Sequence, residues 1–241
     1  MAQLFAGTSG WAYPSWRPDF YPEKLAQKKF LSHYATRLNT VEVNFTFRQL
    51  VKETTIHNWM QESPPNFKFG VKAHQVITHI KRLKGTQDFV LRFLATIEPL
   101  AAAGKLGPVL FQLPPNLKAD AALLNDFLAT LPRTLPSAFE FRHESWFSDA
   151  TWDALRSCNA AVCIAETETI TTPNVATAPF VYYRFRKPMY TGEERTSMVE
   201  RVRQHLAVGR DVFAYFKHEE TAAGALYAVD LLKEVANEEN A

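Results

Sequence analysis

Residues 137–146 read Ser137-Ala138-Phe139-Glu140-Phe141-Arg142-His143-Glu144-Ser145-Trp146. Phe139 and Phe141 alternate with Glu140 and Arg142, the period of two that marks a strand running into a polar turn. In a half-exposed strand the charged face would meet water. If both faces are covered instead, Glu140 and Arg142 point into a shared interior and need partners there, because unpaired buried charge is expensive.

The rest of the chain supplies such partners at regular intervals. Leu4–Thr8 reads as a first strand and Thr40–Asn44 as a second, with Val41 and Val43 on one face and Glu42 and Asn44 on the other. A third strand, 67–72, sets Phe67, Phe69 and Val71 against Lys68, Gly70 and Lys72. In the fourth, 108–113, Gln112 lies opposite in parity to Phe111. Strands at 160–165, 180–185 and 211–216 follow the opening stretch; Tyr182 and Arg184 share a face of the seventh, and Tyr215 stands in the eighth, just before Lys217.

Helical spacing of apolar residues separates most of these strands. It runs through Phe30, Leu31, Tyr34 and Leu38, then Ile56 to Met60, Phe89 to Ile97, Leu123 to Leu131, Trp152 and Leu155, Met198 to Leu206, and Leu226 with Val229. Thr54, Asp120 and Asp149 are candidate caps, and Thr221 can begin the last helix. The segment after strand six, rich in Thr with Pro173 and Pro179, reads as loop, so a sixth helix is weak or absent. Eight strands in alternation, about 30 residues per unit, predict an α/β fold: one (β/α)8 TIM-type barrel over residues 1–241. Alternation alone would also permit a doubly wound open sheet. Closure is favoured because polar residues recur on one face at the carboxyl ends of the strands and need a common place to meet.

Composition narrows the classes. The 241 residues are 46% hydrophobic, and 27 Lys and Arg stand against 25 Asp and Glu, so no global charge points to nucleic acid or membrane. No apolar run is long enough to span a bilayer. The opening Met1-Ala2-Gln3-Leu4-Phe5 has neither a basic leader nor an apolar core, which leads us to expect a cytoplasmic protein. Cys158 and Cys163 fit no zinc spacing and no disulfide framework.

Several motifs together resemble the YecE-like proteins, domain-of-unknown-function family 72. They are Gly7-Thr8-Ser9-Gly10-Trp11 with Tyr13, Trp16 and Phe20-Tyr21-Pro22; Asn39 to Asn44 with Phe45 and Phe47; Lys72-Ala73 with Ile77-Thr78-His79; Leu106-Gly107-Pro108 through Pro115; and Phe139 to His143 with Ser145-Trp146. The resemblance spans almost the whole chain. It implies a TIM-type barrel and no particular activity; some members have been likened to endonuclease IV and sugar isomerase barrels, an analogy of fold alone. The chain departs from the family pattern twice. Arg184 is followed by Phe185-Arg186-Lys187 where members carry His-Gly. Phe216 is followed by Lys217-His218 where members carry Asn-Asn or Asn-Asp. Both departures add positive charge.

Parity sends Glu42, Asn44, Lys72, Gln112, Glu140, Arg142, Arg184, Tyr215 and Lys217 to the reactive end of such a barrel. Glu42 and Glu140 stand there as general acid or base, with Lys72 as a third catalytic candidate through a depressed pKa or a Schiff base. Arg184 and Lys217 are expected to grip a phosphate or carboxylate, near the place where TIM barrels often hold phosphate. Arg186 and Lys187 would add to the positive surplus. Trp11, Tyr13, Trp16, His79, His143 and Trp146 complete the candidate ligand-binding set. The corresponding expectation is an enzyme or binder of a small anionic molecule.

Three alternatives remain open at this point. The charges would form a structural polar plug if they only satisfied one another. A divalent metal would draw on His74, His79, His143 and His218 with Glu42, Glu140 and Glu166, although no pair has a local ligand spacing. A nucleic-acid binding or repair protein would use Trp11, Tyr13 and Trp16 to stack bases and Lys81, Arg82 and Lys84 as a basic patch.

Overall fold

The computed structural model describes residues 1–166, 170–217 and 220–237. Eight parallel strands form one sheet in the order β1-β8-β7-β6-β5-β4-β3-β2. They are β1 (Leu4–Thr8), β2 (Thr40–Val43), β3 (Lys68–Lys72), β4 (Leu106–Gln112), β5 (Ser137–Glu140), β6 (Ala161–Ala165), β7 (Phe180–Phe185) and β8 (Asp211–Phe216). Among the described residues the α-helices are α1 (Phe30–Tyr34), α2 (Glu53–Gln61), α3 (Gln87–Ala102), α4 (Ala121–Thr130), α5 (Asp149–Ser157), α6 (Gly192–Ala207) and α7 (Ala223–Asn237).

The alternation is therefore that of a (β/α)8 barrel, with no helix among the described residues between β6 and β7. That connection is tied down by Thr177, whose hydroxyl accepts from Val162 N and donates to Ala160 O, each at 2.8 Å. Helix α1 is shorter than its apolar spacing implied; Leu38 is buried but lies beyond it. Two expected caps move. Lys52, not Thr54, precedes α2, and Ser148, not Asp149, caps α5 through Thr151 N. Asp120 caps α4 as expected, accepting from Leu123 N at 3.0 Å.

The barrel closes between β1 and β2 by an unusual seam. Only Ser9 and Glu42 pair directly. Elsewhere side chains stand in for the ladder. The Asn39 amide donates to Leu4 O (2.8 Å) and accepts from Ala6 N (2.9 Å). The Tyr34 hydroxyl accepts from Thr8 N (2.8 Å) and donates to Thr40 O (2.9 Å). Gly7 permits this approach: a Cβ there would stand 1.9 Å from Thr40 O. These bonds satisfy backbone groups that a strict strand pair would otherwise have served.

Parity divides each strand between two cores. Outward residues such as Val41, Phe69, Phe111, Phe139 and Tyr183 pack beneath the helices. Inward residues fill the barrel: Phe5, Leu110, Ala138, Cys163, Tyr182, Phe213 and Tyr215 belong to this second cluster. Large rings sit opposite small residues, as a tapering interior requires. Gly70 leaves room for Tyr215, whose hydroxyl would lie 2.6 Å from a Cβ at that position. Above this apolar layer, toward the strand carboxyl ends, the inward positions turn polar: Glu42, Lys72, Gln112, Glu140 and Arg184.

A basic cavity at the barrel mouth

Glu140, the residue that set the partner problem, is fully buried, and β5 ends at it. Arg184 on β7 resolves the problem for two strands at once. One terminal nitrogen donates to Glu140 Oε2 and the other to Glu42 Oε1 at 2.6 Å. All three side chains are within 3% of full burial. A guanidinium suits this bridge because its donors form a rigid planar fork, so one cation holds two carboxylates in separate directions. Burial acts against the Arg184 charge, but Glu42 and Glu140 together outweigh it and hold its pKa above the ordinary value.

Both carboxylates are engaged on every side. Glu42 also accepts from Ser9 Oγ at 2.7 Å, Tyr182 Oη at 2.6 Å and Asn44 Nδ2 at 3.3 Å. Burial, then the Glu42 charge, raises the Tyr182 pKa far above that of a free phenol, so it remains a donor. Glu140 accepts from Gln112 Nε2 at 2.9 Å on each oxygen. Arg186 and Arg142 approach it more loosely, at 3.7 and 3.9 Å.

Above this network lies a cavity of about 450 Å3. Six basic side chains line it: Arg48, Lys72, Arg142, Arg184, Arg186 and Lys217, joined by Asn44, Phe45, Phe47, Gln49 and Gln112. Among the described residues no carboxylate is in its lining. Lys72 donates to Gln112 Oε1 at 2.8 Å and stands 4.2 Å from the centre of the Phe47 ring. Its pKa is lowered to about 8, first by burial and then by the Arg184 charge, with the two glutamates opposing. It is thus the cavity residue that changes charge near neutral pH.

The candidate residues separate into groups. Asn44, Lys72, Gln112, Arg142, Arg184 and Lys217 line the cavity, with Glu42 and Glu140 beneath it. Trp11 and Tyr13 line an adjoining apolar slot. Trp16 and Trp146 are fully buried elsewhere: Trp16 stacks on Tyr21, and Trp146 stacks on Phe141 and donates to Leu117 O at 2.8 Å. Their large apolar area is used in packing, so neither forms a wall of the mouth. Tyr215 lies one layer deeper, bonded to Thr40 Oγ1 at 2.9 Å. His143 accepts from Ser145 N at 3.1 Å within its own turn. His79 sits on a π-helical turn, Val76–Ile80, with its ring edge-on to Phe47. Burial, then Lys72 and Arg142, lowers its pKa.

Sequence reading passed over Ser9, Tyr182 as a Glu42 partner, and Arg48. Ser9 and Arg48 lie just beyond the parity of a strand, where periodicity says nothing. Tyr182 shares a face with Arg184, and that spacing was the available signal. Lys187 turns outward to Glu194 at 2.7 Å.

The other chemistries find less here. Among the described residues no three His, Cys, Asp or Glu side chains gather as metal ligands; His218 lies outside those residues. Lys81 donates to Gly85 O and Arg82 to Asn116 Oδ1, so two cations of the expected basic patch bind their own surroundings. A flank cleft of about 480 Å3 beside α4 carries Asp120 and Asp126 but no buried charge network. Among the described residues no helix is long and apolar enough to cross a membrane.

Comparison with known proteins agrees with the fold. UPF0759 protein YunF of Bacillus subtilis is 29% identical over 151 residues, 60% of this chain and 52% of its own. UPF0759 protein YecE of Escherichia coli K12 is 29% identical over 146 residues, 60% of this chain and 50% of its own. The chain thus spans about half the length of these curated relatives. The crystal structure of TM1631 from Thermotoga maritima, a DUF72 protein, superposes with a TM-score of 0.87 at 24% identity, covering 97% of this chain and 99% of that one. The sequence profile described as "Protein of unknown function DUF72" matches residues 5–241, and the chain belongs to that family.

Proposed function

We propose that the chain binds a small, multiply charged anion, bearing phosphate or carboxylate, at the carboxyl ends of its barrel strands, as an enzyme or a ligand binder. The observation that carries this reading is the charge balance of one cavity. Six basic side chains face it, and the two carboxylates beneath are already spent on Arg184. Arg142 and Arg186 reach Glu140 only at 3.9 and 3.7 Å, so basic side chains outnumber the two carboxylates around the cavity, and an anion would complete the balance.

In this reading the glutamates are positioning residues and not the acid or base expected of them. Glu42 and Glu140 are buried below the lining and saturated with donors, so their work is to orient Arg184. Proton transfer falls instead to Lys72, which faces the cavity and titrates near neutral pH. Arg142 and Arg186 would hold the anion from the rim, while Arg184 beneath adds positive potential.

Titration calorimetry with sulfate, inorganic phosphate and citrate tests this directly. At least one of them is expected to bind wild type, and about tenfold or more weaker to Arg142→Ala, Arg186→Ala or Lys72→Met, the loss typical of one charge-assisted bond. Absence of binding by all three, or equal binding by all variants, would refute it.

A further inference from the structure

The basic cavity does not stand alone. A second pocket of about 340 Å3, mostly apolar, opens beside it and is lined by Trp11, Tyr13, Val43 and Trp59. Asn44 and Phe45 line both pockets, so the two adjoin at those residues. The join has two features of its own. Phe45 is 47% exposed, so its ring is open to a ligand at the border of the two pockets. Asn44 donates to Glu42, yet its Oδ1 is buried and has no hydrogen-bond partner among the described residues.

The turn that builds the apolar wall is held rigidly. Gly10 takes φ +94, a region that favours glycine, and a Cβ there would meet the Tyr13 hydroxyl at 2.6 Å. Tyr13 donates to Ser9 O at 2.9 Å and Tyr21 to Trp11 O at 2.5 Å, which fixes the turn at both ends. Trp11 meets Trp59 edge to face at 5.6 Å. Ser9, in the same turn, donates to Glu42, so one segment connects the aromatic wall to the buried charge network.

From this juxtaposition we infer that the ligand is bipartite: an anionic group seated in the basic cavity and a planar apolar ring in the slot between Trp11 and Phe45. The inference rests on the anion-binding reading and goes further by assigning the ligand class, a ring-bearing phosphate or carboxylate rather than a bare anion or a simple sugar phosphate. The ring gains from burial and from aromatic contact, which together favour it over a ring-free anion of equal charge.

Four probes separate the parts: inorganic phosphate, ribose 5-phosphate, phenyl phosphate and adenosine 5′-monophosphate, each titrated into wild type, Trp11→Ala and Phe45→Ala. The ring-bearing probes are expected to bind wild type about tenfold more tightly than the ring-free ones, the scale of one aromatic contact with burial. Both variants are expected to lose that preference while keeping their affinity for ribose 5-phosphate. Phe45 is exposed, so Phe45→Ala tests the slot with little risk to folding; circular dichroism checks Trp11→Ala. Equal affinity for all four probes, or a preference that survives both substitutions, would overturn the bipartite ligand and leave anion binding standing. Failure of every probe to bind would overturn both readings.

Discussion

Arg184 is the residue on which the interior charge network depends, and its removal has a calculable consequence. In Arg184→Met the apolar volume is roughly kept, but Glu42 and Glu140 each lose a charge-assisted bond inside the barrel. Such bonds contribute about 1.5–3 kcal/mol each, and breaking a buried pair by removing one partner costs about 3–5 kcal/mol. The two acids are unequally exposed to the loss. Glu42 keeps Ser9, Tyr182 and Asn44, whereas Glu140 keeps Gln112 and only distant contacts with Arg142 and Arg186. The larger share of the cost therefore falls on Glu140. Replacing it as well, in Arg184→Met with Glu140→Gln, removes the stranded charge and is expected to restore about 2 kcal/mol of the loss. Urea denaturation followed by tryptophan fluorescence measures all four corners of the cycle. The single Arg184 variant should also melt about 10 °C lower, given roughly 2–4 °C per kcal/mol for a chain of this size. A loss under about 1 kcal/mol, or a double variant no more stable than the single, would refute the reasoning that the acids depend on Arg184.

Sulfate, which keeps its charge across the range, is expected to bind Lys72-intact protein well below pH 8 and progressively less as pH rises through about 8, where the lysine loses its proton; Lys72→Met should flatten that profile. Binding near pH 8 should also draw a proton from solution, seen in calorimetry as a dependence on buffer ionisation enthalpy. Gly7→Ala would drive a methyl into Thr40 O, 1.9 Å away, and is expected to cost about 3 kcal/mol or to abolish folding, read from soluble yield and melting temperature. Arg142→Ala and Arg186→Ala are expected to leave the melting temperature of ligand-free protein unchanged or slightly raised, while removing the stabilisation that sulfate confers on wild type.

Parity made the barrel legible. Once Phe139, Phe141 and their counterparts were assigned outward, Glu140, Glu42, Gln112 and Arg184 had to meet inside, and they do. That no helix is formed by the described residues after β6 was legible from Thr and Pro composition for a physical reason: no apolar stripe exists there to bury. What parity could not reach was depth. It gave Tyr215 and Arg184 the same inward direction, but Tyr215 lies in the apolar layer under Gly70 and Arg184 above it. Nor could it assign the aromatic turn. Trp11, Tyr13 and Trp16 look alike in sequence, yet the chain doubles back so that Trp16 is sealed against Tyr21 while Trp11 and Tyr13 face the slot. The β1–β2 seam was equally hidden, because Asn39 and Tyr34 take ladder positions as side chains.

Depth also separates a structural plug from a binding site. A plug neutralises itself, since every buried charge without a partner costs more than packing returns. The lower tier comes close to that rule: Arg184 bridges Glu42 and Glu140, Tyr182, Ser9 and Gln112 donate to their oxygens, and the one negative charge left over is met from above by Arg142 and Arg186 at 3.9 and 3.7 Å. The upper tier carries more cations than that one charge can match. They come from segments after four different strands, Arg48 after β2, Arg142 after β5, Arg186 after β7 and Lys217 after β8, and line one cavity. Like charges converging in this way lower the stability of the empty protein, a cost that an anion reverses on binding. If the upper tier were also structural, removing Arg142 or Arg186 would destabilise the empty protein. If it is a site, the same removals leave folding alone and abolish the response to sulfate, because repulsion is relieved as attraction for the ligand is lost.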